Sequence, residues 1–134
     1  MRQINRIIIH CTATPEGRDH TAADVDKWHK ERGWSQIGYH WLIRLDGTIE
    51  QGRPESKTGA HVKGHNSDSI GVVYVGGCDA SINPKDTRTD AQKAALVCMV
   101  QELKARYPAA TVHGHNEFDK GKACPSFDVA GEFA

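Results

Sequence analysis

The sequence lacks the features that mark a membrane protein or a binder of nucleic acid. No run among its 134 residues approaches the roughly 20 consecutive apolar residues that span a bilayer. Lys plus Arg and Asp plus Glu number 17 each, so the formal net charge is zero. A balanced charge argues against binding that relies on neutralising phosphates, and it removes bulk attraction to anionic membranes. We therefore expect no direct nucleic-acid partner and no membrane span.

Cysteine is scarce and scattered along the chain. The four cysteines form no C-x-x-C pair, which argues against a disulfide framework and against a four-cysteine zinc site. The first residues run directly into an apolar strand pattern, without the apolar core and cleavage site of a signal peptide. We therefore expect synthesis in the cytoplasm without a signal peptide.

Length and hydrophobic periodicity predict the fold. A chain of 134 residues, 38% of them apolar, is expected to form a single domain over residues 1–134. Apolar patterns, capping residues and turn residues predict alternating elements. They are strands at 4–10, 38–45, 48–51, 70–75 and 110–114, and helices at 21–32, 89–107 and 126–134. This order predicts an α/β fold with a mixed central β-sheet flanked by helices.

The sequence contains eight histidines, which is a high number for its length. Histidine is the commonest metal ligand and titrates near neutrality, so this excess indicates a metal site or acid–base catalysis. His10 ends the first predicted strand, His115 follows the last one, and Cys124 comes nine residues later in a loop. If those strands are neighbours, the three side chains converge. Two imidazoles and a thiolate suit Zn²⁺, and three protein ligands leave the fourth position that catalytic zinc sites keep for water. Zinc lowers the pKa of that water to roughly 7.

The spacing alone leaves other interpretations open. His10 can be an ordinary hydrogen-bonded histidine at the end of a strand, and Cys124 a small buried apolar residue. A third interpretation is a Cys–His hydrolase in which the Cys124 thiolate is the nucleophile and His115 the base. That interpretation leaves His10 without a role.

Six segments in fixed order narrow these alternatives. They are IIIHCTAT, WHKERGWSQIGYHWLI, DGTIEQGR, GAHVKGHNSDSIGV, GHNE and KACPSFD. With them the chain resembles the type-2 N-acetylmuramoyl-L-alanine amidases, above all the phage endolysins of the T-seven lysozyme type, from about Arg6 to Asp128. The peptidoglycan recognition proteins belong to the same family. The resemblance implies zinc-dependent hydrolysis of the amide bond between N-acetylmuramic acid and L-alanine in peptidoglycan, and hence lysis of the cell wall.

The resemblance also implies roles for particular residues. His10, His115 and Cys124 match the zinc ligands. Tyr39, in the segment GYH, matches the family tyrosine beside the metal, where it would donate a hydrogen bond to the intermediate or assist proton movement. Lys122, two residues before Cys124, matches the lysine assigned a catalytic role in the phage enzymes, where it would face the developing oxyanion.

Further residues carry weaker signals. The resemblance suggests that His61 lines the substrate groove, while the alternative is an ordinary exposed loop histidine. His113, two residues before His115, is either a polar groove residue or lies behind the metal ligands. Trp34 is expected in the core at the end of a helix, although stacking on substrate is the alternative. Packing roles are expected for His29 and His40, and buried thiols for Cys11, Cys78 and Cys98.

The resemblance implies peptidoglycan as the partner. We expect a monomer that acts on the cell wall after release. The alternative function is a non-catalytic peptidoglycan-recognition module, but members of that kind lack the cysteine ligand, whereas Cys124 is present here. Some phage relatives also bind their phage RNA polymerase, and the sequence leaves this open.

Overall fold

A five-stranded mixed sheet forms the centre of the computed structural model, which describes residues 2–133. The two ends of the predicted domain, Met1 and Ala134, lie outside the described residues. The elements in chain order are β1 (Arg6–Cys11), β2 (Thr14–Pro15), α1 (Ala22–Glu31), β3 (Trp41–Ile43), β4 (Ile49–Gln51), β5 (Ser69–Tyr74), β6 (Gly77–Cys78), α2 (Asp90–Arg106), β7 (Thr111–Gly114), a 3-10 helix (His115–Glu117) and α3 (Val129–Glu132).

The sheet has the strand order β4-β3-β5-β1-β7. Strand β1 pairs in parallel with both β5 and β7, β3 pairs in parallel with β5, and only the β3–β4 hairpin is antiparallel. A parallel strand with both faces covered has an unbroken apolar run, and 7–9 in β1 is fully buried. The predicted α/β fold with a mixed sheet flanked by helices is confirmed.

Helices cover the two faces of this sheet. On one face, Leu96 and Leu103 of α2 pack with Ile7 and Ile9 of β1. Successive side chains of a strand point to opposite faces. His10 therefore lies on the opposite face, together with Val73, its neighbour in β5. Val73 belongs to the apolar cluster that includes Val25 of α1. The chemistry thus lies on the α1 face, at the carboxyl end of β1.

Both long helices begin where their capping residues predict. Thr21 accepts a hydrogen bond from the backbone of Asp24 and Asp24 returns one, and Thr89 and Gln92 form the same capping box at α2. Helix α2 is 17 residues long. Within residues 2–133, no helix combines the length and apolarity needed to cross a bilayer.

The structure corrects several predicted details. Strand β3 is only three residues long, and its connection to β4 places Gly47 at φ +88°, where glycine is favoured. A small second sheet pairs β2 with β6 in parallel; two-residue strands are too short to produce a hydrophobic period. The last helix begins at Val129, capped by Asp128, rather than at residue 126 as predicted, and its predicted end lies outside the described residues.

Candidate metal centre and cleft

The pairing of the first and last strands assembles the candidate metal centre. Ile9 of β1 lies beside Gly114 of β7, so the next residue of each chain segment, His10 and His115, emerges at the same edge of the sheet. The centroids of their rings are 4.8 Å apart. The Sγ atom of Cys124 lies 3.8 Å from Nδ1 of His10. One ligand atom from each residue lies within 4.8 Å of the others.

The loop that carries Cys124 is anchored to the sheet by hydrogen bonds. The backbone N–H of Cys11 donates to Sγ of Cys124 at 3.1 Å, and Asn116 N–H donates to the Cys124 carbonyl at 2.9 Å. Further along the loop, the hydroxyl of Tyr74 in β5 donates to the carbonyl of Pro125 at 2.6 Å. These bonds hold a residue that is 114 positions away from His10 in direct contact with it.

The donor set fits a zinc ion. Two imidazole nitrogens and one sulfur are the borderline-soft donors that zinc prefers, whereas Mg²⁺ and Ca²⁺ prefer oxygen ligands. Within residues 2–133 this is the one cluster of three or more histidine, cysteine or acidic side chains suited to a metal.

Burial and neighbouring side chains shift the pKa values of the three ligand candidates. Burial, then the neighbouring rings of His61 and His115, hold the pKa of His10 well below its usual value. Burial also lowers the pKa of His115. The Cys11 thiol and burial raise the pKa of Cys124, so a thiolate at this position needs a cation beside it. A free nucleophilic thiolate, as in a Cys–His hydrolase, is therefore disfavoured.

Tyr39 and Lys122 reach the same site from different elements. Tyr39 lies just before β3, and its ring centroid is 5.0 Å from that of His10. Desolvation raises the pKa of the Tyr39 hydroxyl, which therefore stays protonated at neutral pH and can donate a hydrogen bond. Lys122 is exposed on the loop before Cys124 and lines the cleft beside the ligand candidates.

A cleft of about 360 Å³ opens above this centre. The carboxyl-terminal part of α1 and the residues after it line this cleft with Trp28, Arg32 and Trp34. Among the described residues that line it, none is acidic. The residues are Cys11, Thr12, Ala13, Val25, Trp28, His29, Arg32, Trp34, Tyr39, Ala60, His61, His115, Lys122 and Cys124.

The structure also places the weaker candidates. His61 lines the cleft, and burial lowers its pKa to about 3. His113 bonds Glu117 at 3.0 Å and Thr111, outside the metal cluster. The predicted packing roles are confirmed, since both imidazoles accept a backbone N–H through Nδ1: His29 from Gly38 at 2.8 Å, and His40 from Gly71 at 3.0 Å.

Two predictions about burial were wrong. Trp34 is 38% exposed on the cleft wall, where its ring contacts that of His29 with centroids 4.4 Å apart. Cys98 is exposed on α2, because Leu96 and Met99 turn that helix's apolar side toward the sheet. The segment WHKERGW contains all three residues of this wall, Trp28, Arg32 and Trp34. The sequence alone cannot assign them to a cleft, because that depends on where α1 packs.

The structure is thus an α/β protein whose mixed sheet carries a candidate metal centre of two histidines and one cysteine beside a cleft. The chain belongs to the N-acetylmuramoyl-L-alanine amidase family, whose profile matches residues 1–127. The prediction of an amidase enzyme related to phage endolysins is thereby confirmed.

Individual relatives agree with the family. The endolysin of Escherichia phage T7 is 42% identical over 123 residues, covering 92% of this chain and 81% of its own. The N-acetylmuramoyl-L-alanine amidase LysC from Clostridium intestinale URNW superimposes with a TM-score of 0.82 at 30% identity, over 98% of this chain and 82% of its own. A point mutant of Drosophila PGRP-LB in complex with tracheal cytotoxin gives a TM-score of 0.79 at 25% identity, over 98% and 80%.

Proposed function

We propose that this protein is a zinc-dependent N-acetylmuramoyl-L-alanine amidase that cleaves peptidoglycan between N-acetylmuramic acid and L-alanine. The observation that carries the proposal is the cluster of His10, His115 and Cys124 within 4.8 Å, at the base of a cleft in a member of this family. Residues 1–134 would form a single catalytic domain. The proposal includes a monomer that acts on the cell wall after release, and it leaves binding to a phage RNA polymerase open.

His10, His115 and Cys124 would hold the zinc ion. The neutral imidazoles offer lone pairs, and three protein ligands leave one position of a tetrahedral zinc open. When bound there, zinc would polarise the scissile carbonyl and lower the pKa of the attacking water. The buried thiol needs such a cation to ionise, because Cys11 and burial raise its pKa.

Tyr39 and Lys122 would stabilise the reaction's developing charge. The Tyr39 phenol stays protonated, since desolvation raises its pKa, and it can donate a hydrogen bond to the oxygen of the tetrahedral intermediate. Lys122 brings a positive charge to the same cleft, where it would stabilise the oxyanion. Both groups would interact more strongly with the negative charge of the transition state than with the neutral substrate. They would therefore lower the activation barrier more than they strengthen substrate binding.

The cleft suits a muramoyl peptide. Trp28 and Trp34 offer aromatic faces to a sugar or a peptide, and His61 also lines the cleft. Arg32 and Lys122 place two cations in a cleft whose described lining residues include no acidic side chain, which favours a substrate that carries carboxylates. The complex of PGRP-LB with tracheal cytotoxin supports ligand binding by this fold.

Product analysis of digested sacculi tests the proposal. We expect new amino termini on L-alanine without new reducing sugar ends, and loss of activity when a chelator removes the metal. New reducing ends would instead identify a muramidase. Inhibition by a thiol-alkylating reagent but not by a chelator would identify a cysteine hydrolase.

The alternative, a non-catalytic peptidoglycan-recognition module, predicts binding to sacculi without turnover in the presence of zinc. Cys124 argues against it, because its sulfur lies within the candidate metal cluster.

A further inference from the structure

The ring of His10 is held from behind by a second histidine. Its Nδ1 is the nitrogen that contacts Sγ of Cys124, at 3.8 Å. Its other nitrogen, Nε2, lies 2.8 Å from Nδ1 of His61. The remaining nitrogen of His61, Nε2, lies 3.2 Å from Oγ of Ser69 in β5. The three side chains form an unbroken hydrogen-bonded line from the candidate metal centre into the sheet.

Only one arrangement of protons suits this line if His10 binds metal through Nδ1. A coordinating Nδ1 must present its lone pair, so the proton of the neutral His10 ring sits on Nε2. That N–H donates to Nδ1 of His61, which must then be unprotonated. The proton of His61 consequently sits on its own Nε2 and is donated to Ser69. The tautomers of His10 and His61 are therefore linked, because each hydrogen bond in the line allows only one position for the proton.

The fold is shaped to admit the ring of His61. A Cβ atom added at Gly71 of β5 would lie 2.7 Å from His61 Cδ2, and one added at Gly59 would meet the same atom at 2.7 Å. Glycine at both positions leaves space that any side chain would occupy. The backbone N–H of His61 also donates to Oδ1 of Asn66 at 2.9 Å, which anchors its loop. The rings of His61 and His10 meet edge to face, at 89°.

We propose that His61 is a positioning residue for the amidase reaction, which fixes the tautomer and orientation of His10 and is itself oriented by Ser69. Metal-binding histidines are commonly fixed by a hydrogen bond from the nitrogen that does not face the metal, often to a carboxylate or a carbonyl. An imidazole partner does this without adding a negative charge beside the metal. The inference rests on the proposed role of His10 as a metal ligand. Both ring nitrogens of His61 are then hydrogen-bonded within the protein, to His10 and Ser69. Only the carbon atoms of its ring remain to line the cleft.

The test compares zinc affinity in matched variants, by competition with a chelator. His61→Phe keeps an aromatic ring but cannot accept the hydrogen bond, and we expect its zinc dissociation constant to rise about 10–100-fold. His61→Asn places an acceptor near the position of Nδ1 and should recover most of that loss. His113→Phe is the control, because His113 lies outside the metal cluster, and it should bind zinc like the wild type. Equal zinc affinity of His61→Phe and the wild type would overturn the proposal.

A second measurement needs no variant. Imidazole ¹⁵N spectra of the zinc-loaded wild type should show both His10 and His61 protonated at Nε2 and unprotonated at Nδ1. A proton on Nδ1 of His61, or coordination through Nε2 of His10, would overturn the proposal even if His61→Phe failed to fold. A wild-type protein that binds no zinc would contradict the proposed function itself, which separates the two failures.

Discussion

Burial, rather than pairing with an opposite charge, controls the protonation of single residues around the cleft. Desolvation raises the pKa of the Tyr39 hydroxyl. Burial lowers the pKa of His29 to about 4, with smaller contributions from Arg32 and Arg53. The phenol thus stays a donor and the His29 imidazole stays neutral over the range in which an ordinary histidine titrates.

Tyr39→Phe should separate catalysis from metal binding. The substitution removes the hydroxyl but keeps the ring beside His10, so we expect the turnover of sacculi to fall by about 10²–10⁴-fold. Zinc affinity should stay within about 2-fold of the wild type, because the three proposed ligands are His10, His115 and Cys124 and all three remain. Full activity of this variant would remove Tyr39 from the proposed mechanism.

His29 should make stability depend on pH. Its Nδ1 accepts the N–H of Gly38, which only the unprotonated nitrogen can do. Its pKa is about 4 in the folded chain against 6.5 ordinarily, so the unfolded chain binds the proton first as the pH falls. The stabilisation is therefore complete above pH 6.5 and is lost as the pH falls from 6.5 toward 4, by up to about 3 kcal/mol.

The measurement is urea unfolding of the wild type and His29→Asn at pH 7 and pH 4.5, both with a chelator present. Asparagine offers an acceptor near the position of Nδ1 but does not titrate, so its stability should fall less than that of the wild type. Parallel losses of stability in the two chains would show that His29 does not contribute.

At the scale of elements, the start of α2 is hydrogen-bonded to two segments that follow strands of the central sheet. The hydroxyl of Thr89 accepts the backbone N–H of Gln92 and donates to the carbonyl of Leu45, at 2.7 Å, in the connection between β3 and β4. The buried amide of Gln92 donates to the carbonyl of Val75 at 2.9 Å, just after β5. One helix terminus thereby satisfies polar groups from two other parts of the fold.

Thr89→Ala should destabilise the fold without harming the chemistry. Loss of a capping side chain costs about 0.5–2 kcal/mol. The Thr89 hydroxyl also donates to the carbonyl of Leu45, which favours the upper part of that range. Thr89→Ser keeps the hydroxyl and serves as the control. Denaturant unfolding should place Thr89→Ala about 1–2 kcal/mol below both other chains, while the specific activity of the folded protein stays unchanged because α2 packs on the face opposite the cleft. Equal stability of the alanine and serine variants would contradict this role.

At the scale of the whole molecule, the candidate metal centre joins distant parts of the chain. His10 lies in β1, His115 directly follows β7, and Cys124 lies on the loop before α3. These three side chains come together only in the folded chain, so an ion that needs all three binds the folded state and not the unfolded one. Metal binding should therefore contribute to stability as well as to catalysis.

Zinc should raise the unfolding temperature, and a chelator should lower it and abolish activity. Free zinc at 100 times its dissociation constant stabilises the folded state by about 2.7 kcal/mol. Cys124→Ser should lose most of the zinc-dependent rise, whereas Cys98→Ser, altered at the exposed cysteine of α2, should keep it. Activity that survives complete removal of the metal would contradict the zinc mechanism.

Much of the fold could be predicted because its signals are local. The capping boxes at Thr21 and Thr89 depend on residues three positions apart, and the apolar strand at the start of the chain depends on its own composition. The candidates Tyr39, Lys122 and Cys124 could be named in advance because they stand within short, ordered segments. Short-range hydrogen bonds and side-chain periodicity are present in the sequence itself.

Long-range packing accounts for the rest. The pairing of β1 with β7 brings His10 to His115, and the position of α1 makes Trp34 a wall of the cleft rather than part of the core. The partner of His10 behind the metal centre, His61, comes from a loop 51 residues away that two glycines allow to approach. Such contacts depend on the shape and spacing of elements distant in the chain, so they arise only when the whole core packs together.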